Sequence, residues 1–234
     1  MSEIKFTIDG KACVAKPGQT IVEAAEDNGV WIPVLCRSKG LKPAGSCRIC
    51  TVRVAGRYMA ACTQPVQEGL AVENDVPDLE DMRKALVEML FVEGNHFCPS
   101  CEKSGNCELQ ALGYRYRLTV PRFPYLWPGR ELDAAAPLIM VERNRCVQCR
   151  RCVAAVKAKD GRRVFAAAGR GPRTTIEADR KLAAKLSEEE ARKAMDVCPV
   201  GAILKKETGF AVPIGRRKYD HVPIGDDVEK GAGR

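Results

Sequence analysis

Ile4, Phe6 and Ile8 alternate with more polar neighbours, the period of a strand with one buried face. Asp9-Gly10 is a tight-turn signal, and Lys11 to Ala15 predicts the returning strand. Thr20 followed by Glu23 forms a capping box, so a helix is expected from Ile21 to about Asp27, ended by Asn28-Gly29. Val30 to Leu35 is apolar, and a loop rich in Gly, Pro and Ser follows. Thr51–Val54 and 58–61 read as a hairpin around Gly56, with a last strand within 70–76. This order of strands around one helix predicts a small β-grasp sheet.

Beyond it the period changes. Asp78 is placed to cap a helix running to about Val92, with Leu79, Met82, Leu86, Met89 and Leu90 on its apolar face. These positions read as core. Gly94 ends the helix, and 108–112 predicts a short helix. Residues 113–137 hold four prolines and several aromatics, as expected of a linker that packs over its neighbours. The segment 137–141 is apolar. A turn at Gly169–Pro172 precedes a strand-like 174–177, and Ser187 with Glu190 caps another helix. From Gly209 onward the chain is rich in Gly, Pro and charge, and reads as an extended tail ordered against a partner.

The expected class is α+β, with an N-terminal β-grasp domain at 1–78 and a helical segment at 79–118. A linker at 119–137, a second compact domain at 138–208 and the tail at 209–234 complete the division.

Composition changes this picture through cysteine. The 234-residue chain carries 12 cysteines. No apolar leader follows Met1 and no apolar run is long enough to span a membrane, so a reducing, cytoplasmic setting is expected. Clustered thiols there read as metal ligands rather than disulfides. The net charge of +8 invites a nucleic-acid reading, but no nucleic-acid motif accompanies it. Instead, Arg143, Arg145, Arg150, Arg151, Lys157, Lys159, Arg162 and Arg163 crowd one cysteine set, where cations offset thiolate charge.

Three sets are present. Cys36, Cys47, Cys50 and Cys62 (C-x10-C-x2-C-x11-C) offer the four thiolates a 2Fe–2S rhombus needs. A structural zinc site also takes four cysteines, but zinc knuckles come as two tight C-x2-C pairs and only one is present. Cys146, Cys149 and Cys152 (C-x2-C-x2-C) wrap three corners of a 4Fe–4S cubane, and the remote Cys198-Pro199 supplies the fourth. Cys98, Cys101 and Cys107 offer only three thiolates. His96 lies two residues before them and is the candidate fourth ligand of a second 4Fe–4S cluster, as imidazole replaces cysteine in Rieske centres. The leftover Cys13 sits in a predicted strand and reads as a buried structural thiol. The three clusters are expected in series, with the set central in sequence at the centre.

These motifs in this order resemble the N-terminal iron–sulfur region of the complex I large subunit. The same region recurs in iron-only hydrogenases, NAD-dependent formate dehydrogenases and the diaphorase module of NAD-reducing nickel–iron hydrogenases. The resemblance covers about residues 1–205. It departs in one place: the family's histidine stands in H-x3-C, whereas only Phe97 separates His96 from Cys98.

The short chain is most similar to the diaphorase-side iron–sulfur subunit of a NAD-reducing, bidirectional nickel–iron hydrogenase. The resemblance implies a non-catalytic electron-transfer subunit of a hydrogen:NAD⁺ oxidoreductase. Its implied partners are an FMN- and NAD-binding diaphorase subunit and the hydrogenase small and large subunits, with no nucleic acid and no membrane insertion. A formate dehydrogenase or complex I-like subunit is the alternative, and a zinc-organised interaction module is the alternative of another class. No catalytic residue is expected, and no Gly-rich dinucleotide fingerprint is present, so FMN and NAD are expected in a partner.

Overall fold

The computed structural model describes residues 3–207 and 209–231. Thr208 and the last three residues of the expected tail lie outside the described residues. The alternating N-terminal segment forms β1 (Ile4–Ile8) and β2 (Lys11–Ala15), paired antiparallel. Asp9 and Gly10 both take positive φ, as a two-residue hairpin turn requires. Helix α1 (Ile21–Asp27) starts at the expected capping box, where Thr20 and Glu23 each satisfy the other's backbone N–H. Such a cap is worth about 1 kcal/mol.

β3 (Thr51–Val54), β4 (Arg57–Ala60) and β5 (Ala71–Glu73) complete a five-stranded sheet of order β2-β1-β5-β3-β4. β1 and β5 pair parallel and the other neighbours antiparallel, as a β-grasp sheet demands. Phe6, Ile8 and Cys13 from the sheet bury against Ile21, Val22 and Ala25 of α1. Cys13 is thus a core side chain, as read from the sequence.

Helix α2 (Pro77–Val92) begins two residues earlier than expected. Pro77 occupies the first turn, where its missing N–H costs nothing, and Val76 precedes it without a side-chain cap. The Asp78 carboxylate is engaged elsewhere: it accepts from Tyr58 Oη at 2.6 Å and Arg53 Nη1 at 3.1 Å. The buried face of α2 is also rotated from the apolar stripe. Leu79, Arg83, Val87 and Glu88 are buried, whereas Met89 is exposed.

Arg83 is only 1% exposed. Its guanidinium donates to the Thr51 carbonyl at 2.8 Å, to both oxygens of Asn74 and to Glu80. α2 is thereby fastened to the residue that follows Cys50.

Helix α3 (Glu108–Arg115) runs three residues past its expected end, because Gly113 and Tyr114 continue its turns before Tyr116 stops it. The linker is not featureless. β6 (Leu132–Asp133) pairs with β7 (Ile139–Glu142), which pairs with β10 (Ile203–Lys205). Between them lie α4 (Arg151–Ala155), the antiparallel pair β8 (Phe165–Ala168) and β9 (Thr175–Ala178), α5 (Arg180–Ala183) and α6 (Glu188–Val197). α6 starts at the expected Ser187–Glu190 capping box and ends at Cys198.

The segment with three thiols and the C-terminal domain share one core. Leu109 and Leu112 of α3 bury with Ile139, Phe165 and Ile203, and Leu35 and Ile49 from the first cysteine loop enter the same core.

The tail does not project. It crosses the Cys101–Cys107 loop, where Tyr219 N–H donates to the Gly105 carbonyl at 2.9 Å and Lys218 N–H to Asn106 Oδ1 at 2.8 Å. It closes with α7 (Asp226–Glu229), whose Glu229 pairs with Arg115 of α3, and Gly225 stacks on Trp31. The expectation of order only against a partner is corrected: polar groups on the chain's own loop take the tail's backbone hydrogen bonds.

Candidate functional site

The first set is assembled by sheet edges and loops. Cys50 immediately precedes β3 and Cys62 follows β4, and Ala61 N–H donates to the Cys50 carbonyl at 3.1 Å. Cys36 arrives on the loop after 30–35, which Arg37 fixes to α1 through Glu26 at 2.5 Å. The four thiols act on one another in one chain, Cys47 to Cys36 to Cys62 to Cys50. Hydrogen bonds from the Cys47 and Cys62 thiols hold Cys36 far below the ordinary thiol range. Cys47 and Cys62 are pushed upward by the same contacts, and Cys62 brings Cys50 down to about 7. Backbone N–H groups of Ser46 and Cys47 also point at Cys36, and that of Ile49 points at Cys47. Left-handed backbone at Gly45 and Arg48 bends the loop so that they can.

The second set opens with a short 3-10 turn, Cys98–Ser100. Cys107 caps α3, its sulfur accepting from Gln110 N–H at 3.5 Å. The Gln110 amide holds the loop from inside through Gly105 N–H at 2.7 Å and Ser104 Oγ. Burial pushes the Cys107 thiol up to about 12, and burial followed by the Cys101 charge raises Cys98.

His96 is half-buried at the end of α2, just before this loop. A ring nitrogen donates to the Leu90 carbonyl, an orphan acceptor at the end of α2, and the ring meets Phe91 edge-on at 5.5 Å. Burial lowers its pKa to about 4, so the imidazole is neutral and one nitrogen keeps a lone pair. Gly94 exists for this ring: a Cβ there would stand 2.2 Å from His96 Nε2. Arg145 is the common neighbour of His96 and Cys98.

The third set wraps around the start of α4. Gln148 and Arg150 both adopt left-handed φ, 50° and 60°, in the C-x2-C-x2-C loop. That winding turns the N–H groups of Gln148, Arg151 and Val153 onto Cys146, Cys149 and Cys152. Cys198, delivered by α6, acts on all three by like charge. Burial raises Cys146 to about 11 and Cys152 to about 12.

The sets adjoin one another in an order the sequence does not show. Glu108, just after Cys107, donates its N–H to the carbonyl of Pro199, just after Cys198, at 2.8 Å. The Glu108 carboxylate takes a two-pronged ion pair from buried Arg151 at 2.6 and 2.7 Å. Lys103 Nζ donates to the Met195 carbonyl at 3.0 Å. On the other side, Cys146 and Cys47 line a single cavity of about 510 Å³, with Leu86, Met89 and Leu90 of α2 in its wall. The third set therefore borders both others, which corrects the expectation that the set central in sequence stands at the centre. Sequence reasoning missed Arg83, Glu108, Gly94 and Gly201.

The donor chemistry fits iron–sulfur clusters: two sets bring four thiols each, with N–H groups aimed at sulfur, and the other brings three, with neutral His96 just upstream in the chain. Among the described residues, no three His, Cys, Asp or Glu side chains converge to hold a single metal ion. No helix among them is long and apolar enough to cross a membrane.

Comparison with known proteins finds three family matches along the chain. Residues 1–77 match the 2Fe-2S iron-sulfur cluster binding domain family. Residues 83–122 match the NADH-ubiquinone oxidoreductase-G iron-sulfur binding region. Residues 136–204 match the ferredoxin-like domain of NADH-quinone oxidoreductase subunit 3. The chain is 51% identical over 93% of its length to the NAD-reducing hydrogenase HoxS subunit gamma of Cupriavidus necator, covering 93% of that protein. It is 33% identical over 97% of its length to the mitochondrial NADH-ubiquinone oxidoreductase 78 kDa subunit of Candida albicans, but spans only 32% of it. A crystal structure of a NAD⁺-reducing [NiFe]-hydrogenase in the H2-reduced state contains a similar chain, with TM-score 0.89, 39% identity and 98% of both chains covered. The chain belongs to the family of the gamma subunit of NAD-reducing hydrogenase HoxS, whose iron–sulfur domains it shares with the complex I 78 kDa subunits.

Proposed function

We propose that this chain is the non-catalytic electron-transfer subunit of a cytoplasmic NAD-reducing hydrogenase. Its neighbours in that complex are an FMN- and NAD-binding diaphorase subunit and the hydrogenase small and large subunits. Cys36, Cys47, Cys50 and Cys62 hold one 2Fe–2S cluster. His96, Cys98, Cys101 and Cys107 hold one 4Fe–4S cluster, and Cys146, Cys149, Cys152 and Cys198 hold another. When bound, such clusters accept and release single electrons without bond making in the protein.

The chain's own part is to hold, space and shield. The inward N–H groups offset thiolate charge, and burial keeps water from the sulfurs. The neutral His96 imidazole, with its other nitrogen bonded to the Leu90 carbonyl, has the second contact that iron-ligating histidines usually make.

The observation that carries the reading is the joint between sets. The Glu108–Pro199 hydrogen bond lies within one residue of both Cys107 and Cys198, so the two 4Fe–4S loops share a wall. The experiment is iron and acid-labile sulfide analysis of the purified complex, with EPR after reduction. This chain's one two-iron and two four-iron clusters are expected to contribute about ten irons, on top of the partners' iron, and three distinct signals. Nickel in the complex separates the hydrogenase assignment from a formate dehydrogenase, which would bring molybdenum or tungsten.

A further inference from the structure

Arg145 precedes Cys146 in sequence, yet its side chain leaves the third set. Its Cδ lies over Gly201, 3.6 Å from where a Cβ would stand, and Cys101 Sγ covers the same spot at 2.4 Å. Its charge bears on Cys98 and on His96, where Arg130 joins it, whereas the cations that bear on Cys146 are Arg130 and Arg143.

Arg145 is also half-buried, and among the described residues no carboxylate pairs with it. Four others have one: Arg37 has Glu26, Arg83 has Glu80, Arg143 has Glu177 and Arg151 has Glu108. Half-buried Arg130 shares the lack of a carboxylate, but its guanidinium donates to the Arg143 carbonyl. Removing a guanidinium from water without an anion is costly. The missing anion is supplied if the set of His96, Cys98, Cys101 and Cys107 carries negative charge.

We propose that Arg145, though flanking a ligand of the third set, is the counter-cation of the second set and raises the reduction potential of the 4Fe–4S cluster held there. This rests on the cluster reading above. Reduction adds one electron, donated by the adjoining cluster of the third set, and no bond or proton changes. A fixed positive charge beside His96 and Cys98 favours the form with the extra negative charge. Because the side chain lies by Cys101 and its charge does not bear on Cys146, the preference falls on the second set.

The test is a potentiometric EPR titration of the intact complex carrying R145Q or R145K. R145Q is expected to move the second-set 4Fe–4S midpoint negative by ~59 mV, a tenfold loss of preference for the reduced form of a one-electron couple. The 2Fe–2S midpoint should stay in place, and R145K should keep the wild-type value. A wild-type midpoint in R145Q overturns the inference. If R145Q fails to load the second-set cluster by iron analysis, R145K decides. Loading restored by lysine assigns the role to charge, and loss in both variants assigns it to packing and overturns the inference. A wild-type complex without that 4Fe–4S signal would instead sink the cluster reading itself.

Discussion

Gly201 lies directly against Cys101. A Cβ on Gly201 would stand 2.4 Å from Cys101 Sγ and 3.4 Å from Lys103 Cβ. The backbone at Gly201 is not left-handed, so any residue could adopt it. Space alone demands glycine here, and the turn that follows Cys198 is shaped to the sulfur of another set.

Gly201→Ala should therefore disturb the second set while leaving the first intact. The methyl group must displace either the Cys101 sulfur or the turn after Pro199. Iron analysis and EPR of the complex should show the second-set 4Fe–4S signal lost or altered and the 2Fe–2S signal unchanged. An unaltered 4Fe–4S spectrum would mean that the contact relaxes without consequence.

His96 can be tested in two independent ways. His96→Ala removes the imidazole, and Gly94→Ala puts a methyl group 2.2 Å from its Nε2 and 2.9 Å from the Asn144 carbonyl. Both should alter one 4Fe–4S EPR signal and spare the 2Fe–2S signal. If both variants keep wild-type spectra, the ring is a packing group at the end of α2.

Arg83 should matter for stability well beyond its α2 position. Replacing it with leucine leaves the buried carbonyls of Thr51 and Asn74 without donors. Breaking such a buried charged network costs about 3–5 kcal/mol. Chemical denaturation of the complex, followed by loss of 2Fe–2S absorbance, should show a lower midpoint, because Thr51 adjoins Cys50. A midpoint within experimental scatter of wild type would contradict this.

The Arg151–Glu108 pair should be strongly non-additive. Arg151 is 5% exposed, so Arg151→Met strands the Glu108 carboxylate and Glu108→Gln strands the guanidinium. The double variant removes both charges together. A double-mutant cycle on unfolding free energy should give a coupling of about 1–3 kcal/mol. Simple additivity would show that the pair does not join the second and third sets.

Local signals in the sequence read well because the structure answers them locally. The Asp9-Gly10 turn and the capping boxes at Thr20 and Ser187 each involve residues a few positions apart. Cysteine spacing likewise gave the grouping of the first and third sets. The start of α2 was misread because Asp78 is a good cap in isolation, but tertiary contacts with Tyr58 and Arg53 claim its carboxylate. Its buried face was misread because Arg83 and Glu88 look like solvent-facing charges. Each is buried only because distant partners meet it: the Thr51 carbonyl for Arg83, and Arg122 at 2.7 Å for Glu88. The tail was misread for the same reason. Its partners, Gly105, Asn106 and Arg115, lie more than 100 residues upstream, and one of them is an exposed-looking loop. Set adjacency is also long-range: Glu108 meets Pro199, and no periodicity encodes that.

The account stands most directly on the metal content and redox spectra of the purified complex. It predicts a brown protein whose reduction by dithionite develops one 2Fe–2S and two 4Fe–4S EPR signals assignable to this chain by cysteine substitution in each set. A colourless chain holding stoichiometric zinc, with no EPR signal from its cysteine sets after reduction, would contradict it.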